Sequence, residues 1–159
     1  MKKIFIALLI VCMLFGCSSQ SGDEDLKSIL NDISVDADNP DTEEIELDKD
    51  NFESYAFISY QEGYKGIASE ALINAIAHSV VLISVNDGSD TASLAQEIFE
   101  NADSCKWICT EAEKTAVCYT DDLIILIMSF EDTTDKMVEN FKNKYSSGQV
   151  LEKSNFDFE

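Results

Sequence analysis

Arginine is absent from all 159 residues, so lysine supplies all 11 basic side chains, against 31 aspartates and glutamates and a formal net charge of −20. A nucleic-acid partner is excluded on both counts. Phosphate backbones would be repelled, and no guanidinium is present to grip phosphate or guanine bidentately. Histidine occurs once, at His78, so any histidine chemistry must run through that side chain. Glycine occurs six times, never in a phosphate-cradling loop or a Gly-x-Ser-x-Gly elbow. Long apolar runs are missing too. The longest, Ile4 to Phe15, falls short of the roughly 20 residues that cross about 30 Å of hydrocarbon.

That short run has a context. Lys2 and Lys3 precede it and small residues follow it, the pattern of a cleaved secretory signal. Its end, Leu14-Phe15-Gly16-Cys17, resembles the bacterial lipobox, in which the cysteine is lipidated and becomes the first residue of the mature chain. The resemblance implies that residues 1–16 are a lipoprotein signal peptide, that Cys17 is the lipidation site, carrying diacylglycerol and an amide-linked acyl chain such as palmitate, and that the protein sits on the outer face of the cytoplasmic membrane. Two chains anchor firmly, each buried CH₂ contributing roughly 0.8 kcal/mol. Residues 17–25, small, polar and acidic, read as a flexible tether. Without residues 1–16 the chain holds nine lysines against 31 acids, a formal charge of −22. Such a domain is repelled by anionic head groups. Its charge favours basic peptides or cations.

The remainder has the size of one domain, expected over residues 26–148 and followed by a loosely held acidic tail over 149–159. Leu26, Ile29, Leu30 and Ile33 fall on one helical face. Ser34 to Asp50, dense in acids and holding the only proline, Pro40, reads as a solvated loop. Tyr55 to Tyr60 has strand composition, and Ala68 to Ala77 follows neither period. Ser79 to Val85 is the clearest strand, apolar on both faces and therefore expected at the centre of a covered sheet. Ser89 or Asp90 caps a helix running to about Ala102. Ala116 to Tyr119 and Leu123 to Ser129 form a hairpin around Thr120-Asp121-Asp122. Asp132 or Thr133 caps a last helix with Met137, Val138, Phe141 and Tyr145 on its apolar stripe. The order predicts an α+β fold, a small mainly antiparallel sheet with helices packed against it.

Few residues offer chemistry. Cys105, Cys109 and Cys118 with His78 are the only candidates for a thiol nucleophile and its base, or for a Cys₃His zinc site. Cys105 and Cys109 share a face only if the preceding helix reaches them. A disulfide from Cys118 to one of that pair is the better-favoured alternative, since the compartment permits it. Asp36, Asp38, Asp41, Asp48 and Asp50 invite a calcium reading, but no glycine stands where an EF-hand loop needs it. Phe52, Tyr55, Phe57, Tyr60 and Tyr64 could line a groove, though core and rim is the commoner use of such a cluster.

The element order resembles the small exported Gram-positive-type lipoproteins catalogued as domain of unknown function 4358. The likeness runs from Leu26 to Tyr145 through the strand Ala77 to Val85, the hairpin Val117 to Leu126 and the closing helix Thr133 to Phe141. The chain departs from that pattern at His78-Ser79, where an acidic residue is usual, and lacks the family's lysine-rich central helix. The resemblance carries over no activity and no functional residues. The expected function is a non-catalytic, membrane-anchored module that binds an envelope protein or peptide, with no catalytic residues, no metal ligands and no cofactor assigned. A small hydrolase or thiol-redox enzyme and a cation-binding protein are the alternatives.

Overall fold

The computed structural model describes residues 25–156. The signal peptide, Cys17 and nearly all of the tether lie outside the described residues. Six strands, β1 (Thr42–Leu47), β2 (Lys65–Ala71), β3 (Ser79–Ser84), β4 (Lys114–Tyr119), β5 (Leu123–Ser129) and β6 (Gln149–Ser154), form one sheet. Its order is β1-β2-β3-β5-β4-β6. Every neighbouring pair is antiparallel. Among the described residues four helices cover it: α1 (Leu26–Ile33), α2 (Phe52–Ala56), α3 (Thr91–Asn101) and α4 (Glu131–Lys144). The α+β class and the antiparallel sheet are as the sequence predicts.

The doubly apolar strands decide the layering. In β3, Val81 and Ile83 point to one layer while Val80 and Leu82 point to the other. In β5, Ile124, Leu126 and Met128 alternate in the same way with Leu123, Ile125 and Ile127. The first layer is closed by Phe52 and Ala56 of α2 and Ala95 and Ile98 of α3. The second is closed by Ile29, Leu30 and Ile33 of α1 with Met137, Val138 and Phe141 of α4. The crossovers β3-α3-β4 and β5-α4-β6 each skip one strand and advance in the same direction across the sheet, but start from antiparallel strands. Crossovers of one hand must then place their helices on opposite faces, as α3 and α4 are.

Several segments differ from expectation. The acidic stretch contains β1, an edge strand in which Glu43, Glu44 and Glu46 are exposed. The aromatic stretch expected as a strand is α2 followed by a turn, because Phe57 adopts a left-handed φ of 58° and ends the helix. The segment expected as a tail supplies β6, so the domain runs on through Ser154. Asn155 fastens it, donating from its side chain to Ala112 O at 2.8 Å. Helix α3 is capped by Asp90, which accepts from Ser93 N at 3.1 Å. Helix α4 starts two or three residues earlier than expected, and neither Asp132 nor Thr133 caps it. Glu113, just before β4, accepts from the free Glu131 N–H at 2.9 Å, while Thr133 Oγ1 donates to Asp38 O at 3.0 Å.

Candidate functional site

The register gathers the ends of all six strands into two rims. At one rim stand Thr42, Ala71, Ser79, Ser129, Lys114 and Ser154. At the other stand Leu47, Lys65, Ser84, Leu123, Tyr119 and Gln149. His78 and the three cysteines divide between the first rim and the interior.

His78 enters β3 at the first rim, is 1% exposed, and shares a 2.9 Å hydrogen bond between Nδ1 and Ser129 Oγ. Burial, with the nearby positive charge of Lys106, pushes its pKa down to about 4. It is a neutral, enclosed imidazole at neutral pH. Cys118 lies in β4 under the α1–α4 layer, and burial, reinforced by Glu152, pushes its thiol up to about 12. Cys105 and Cys109 are exposed in the loop between α3 and β4, because α3 ends at Asn101 and never reaches them. The Ser104 hydroxyl pulls the Cys105 thiol down, but desolvation and the carboxylates of Glu111 and Asp103 outweigh it and leave the pKa raised. All three thiols are free. Cys118 faces the layer across the sheet from the one that receives Trp107 of the Cys105–Cys109 loop, so the sheet itself separates the expected partners. Among the described residues no three His, Cys, Asp or Glu side chains gather closely enough to hold a metal ion. The acids of Asp36 to Asp50 are dispersed over a loop, a strand and a turn, where Asp48 Oδ1 accepts from Asp50 N and Asn51 N. These environments predict the labelling pattern of the folded protein. Iodoacetamide should modify Cys105 and Cys109 and spare Cys118 until denaturant is added, as peptide mass spectrometry would show.

A group that no local sequence signal marks sits beside His78. Lys106 Nζ donates to Glu70 Oε1 at 2.8 Å and to Ser79 Oγ at 2.9 Å, and Ser79 Oγ donates to the same Glu70 oxygen at 2.5 Å. The lysine and glutamate side chains are only 17% and 13% exposed. The rings of Tyr55 and Trp107 lie 5.5 and 5.1 Å from the ammonium. Desolvation first, then Glu70 and Glu43, raises the Tyr55 pKa. A serine, a lysine and a carboxylate in contact suggest a hydroxyl nucleophile, but Ser79 is fully buried. No substrate reaches its oxygen here. The arrangement works as a clamp that ties the α3–β4 loop to β2 and β3.

The clamp holds a loop that is also closed on itself. Ala112 N donates to Ser104 O at 3.0 Å, and Ser104 Oγ donates to Glu111 at 2.8 Å. Ile108, at its tip, is 70% exposed. Leu72 and Ile73 beyond β2, Phe130 beyond β5 and Phe156 beyond β6 are exposed at the same rim. They account for five of the seven large apolar side chains exposed among the described residues, Val35 and Tyr60 standing apart. Single exposed apolar residues are ordinary on a protein surface, and these five share the end of the sheet at which β2, β5 and β6 finish and β4 begins.

The second rim carries a cavity of about 470 Å³, walled by Lys27, Glu46, Leu47, Tyr64, Lys65 and Ser84 among others. Asp25, where the described chain begins, is part of its wall. Asp25, Lys27, Glu46 and Lys65 put four charges in its lining, unlike the mainly apolar pockets that enclose small ligands. No helix among the described residues is long and apolar enough to cross a membrane. No protein-family model, no curated protein and no solved structure matches the chain.

Proposed function

We propose that this chain is a lipid-anchored extracytoplasmic binding module of the kind represented by domain of unknown function 4358, held on the outer face of the cytoplasmic membrane through Cys17 and engaging an envelope protein or peptide. The observation that carries the reading is the run from Met1 to Cys17, two lysines, a short apolar core and a cysteine in a lipobox-like setting. The domain supports it. Its acids keep it soluble and away from anionic lipid, and its thiols and its histidine are dispersed between surface and core instead of converging in a cleft. Asp25, where the described domain begins, stands at the second rim, which leaves the first rim clear of that end of the domain.

Replacing Cys17 by alanine should move the protein from the membrane fraction to the soluble one, and immunoblotting of fractionated cells reads this directly. Retention in the membrane would refute the anchor. Chemical cross-linking on intact cells should recover a discrete partner. A chain that cross-links to nothing would refute the binding module while leaving the anchor in place.

A further inference from the structure

We infer that the first rim, with Ile108, Leu72, Ile73 and Phe130 as apolar anchors, is the docking surface for a basic polypeptide segment that alternates cationic and apolar side chains. This inference rests on the binding-module reading and specifies its surface and its partner.

Three features of the rim converge. The first is position. From β2 to β6 it crosses four strand spacings, roughly 20 Å, which suits an extended or helical segment of a partner chain. The second is preorganisation. The α3–β4 loop is held by the Lys106 clamp, by its own closure at Ser104 and by Asn155, so Ile108 is presented without ordering cost on binding. Cys109, the next residue, adopts a left-handed φ of 62°, a conformation that costs a non-glycine residue about 1 kcal/mol or more. The backbone is thus bent at a cost, and the bend leaves an isoleucine in water.

The third feature is charge, and it selects the partner. Asp41, Glu43, Asp103, Glu131 and Asp132 are exposed around the apolar side chains. The lysines nearest the rim are engaged internally: Lys106 with Glu70, Lys114 with Asp135 and Glu152, and Lys153 with Phe99 O. The rim therefore offers apolar contact inside a fringe of carboxylates. A second copy of the chain would bring the same negative fringe against it, and an anionic membrane would be repelled likewise. A segment with lysine or arginine beside leucine-like anchors satisfies both the apolar centre and the fringe, with steering that salt weakens.

The test uses the full chain purified from cells in a neutral detergent, titrated into a fluorescent synthetic peptide of alternating lysine and leucine and followed by anisotropy. The double variant Ile108→Asp/Leu72→Asp, checked for an unchanged melting temperature, is measured in the same medium. The wild-type chain should bind with an affinity that falls steeply with added salt, and the variant should bind roughly tenfold more weakly or worse, the loss of one well-buried anchor. A matched peptide with glutamate in place of lysine should not bind. Equal binding of wild type and variant, equal binding of the two peptides, or self-association of the wild-type chain abolished by Ile108→Asp would each overturn the proposal. None of these results touches the intact-cell cross-linking, on which the binding-module reading stands or falls separately.

Discussion

Replacing Lys106 by methionine should destabilise the domain by about 3 kcal/mol or more, and adding Glu70→Gln to it should restore most of that loss. The asymmetry follows from the clamp's geometry. Methionine keeps the aliphatic stem between Tyr55 and Trp107 but removes the cation paired with Glu70, leaving a mostly buried carboxylate bonded to the Ser79 hydroxyl. Glutamine at position 70 keeps an acceptor for Ser79 and carries no charge to strand. Denaturant unfolding of the two single variants and the double variant measures the coupling. If Lys106→Met and the double variant prove equally unstable, the clamp's charge pairing is not what holds the loop. The same substitution has a second readout. His78 is the only histidine, so its imidazole signal is unambiguous in proton spectra. The Lys106 charge is the lesser cause of its lowered pKa, so in the methionine variant that value should rise above about 4 but stay below 6.5, because burial persists.

Acid should weaken the fold through His78 by about 3 kcal/mol between pH 6.5 and pH 4. In the unfolded chain the imidazole binds its proton near pH 6.5, while in the folded protein it stays neutral until about 4. Between those values the unfolded state holds more protons, so stability falls as the pH falls, and below about 4 the penalty is complete. Protonation of the many surface carboxylates acts over part of the same range and relieves their mutual repulsion, so the His78 contribution is isolated by comparison with His78→Gln. Glutamine can still meet Ser129 Oγ but does not titrate. The stability difference between wild type and variant should shift by about 3 kcal/mol in the variant's favour from pH 7 to pH 4. A difference that stays flat with pH would show that the imidazole reaches water.

The central elements were legible because burial on both faces writes itself into composition. β3 and β5 read as apolar on both sides, and α1, α3 and the core stripe of α4 follow a helical period. The edges were not legible. β1, Thr-Glu-Glu-Ile-Glu-Leu, carries its glutamates on the outermost strand, where charge discourages pairing with another chain, and so it reads as loop. β6, Gln-Val-Leu-Glu-Lys-Ser, has no buried residue and is defined by its pairing with β4, a long-range fact. β2 is rich in small residues for a packing reason. A side chain at Gly66 would lie 2.9 Å from the Leu47 side chain of β1. Helix α2 is too short to show a period, with Phe52 and Ala56 as its only buried residues. The clamp joins positions 36 and 27 apart in the chain, and nothing local marks either link. Cys105 and Cys109 would share a helix face only if α3 reached them, and it ends at Asn101 with Ala102 as its cap, close to where the sequence places its end.

The skipped-strand crossover that brings β6 to the sheet has a consequence for the chain while it folds. Until residue 154 is available, β4 is the outermost strand, and its residues Lys114 to Tyr119 offer an uncovered row of backbone donors and acceptors. Four of those six residues are fully buried in the finished domain, so the bare edge would be sticky as well as unpaired. The final six-residue strand is thus a clasp that closes last. A chain cut short before Gln149 would keep the four described helices but leave that edge bare and inclined to pair with its own kind.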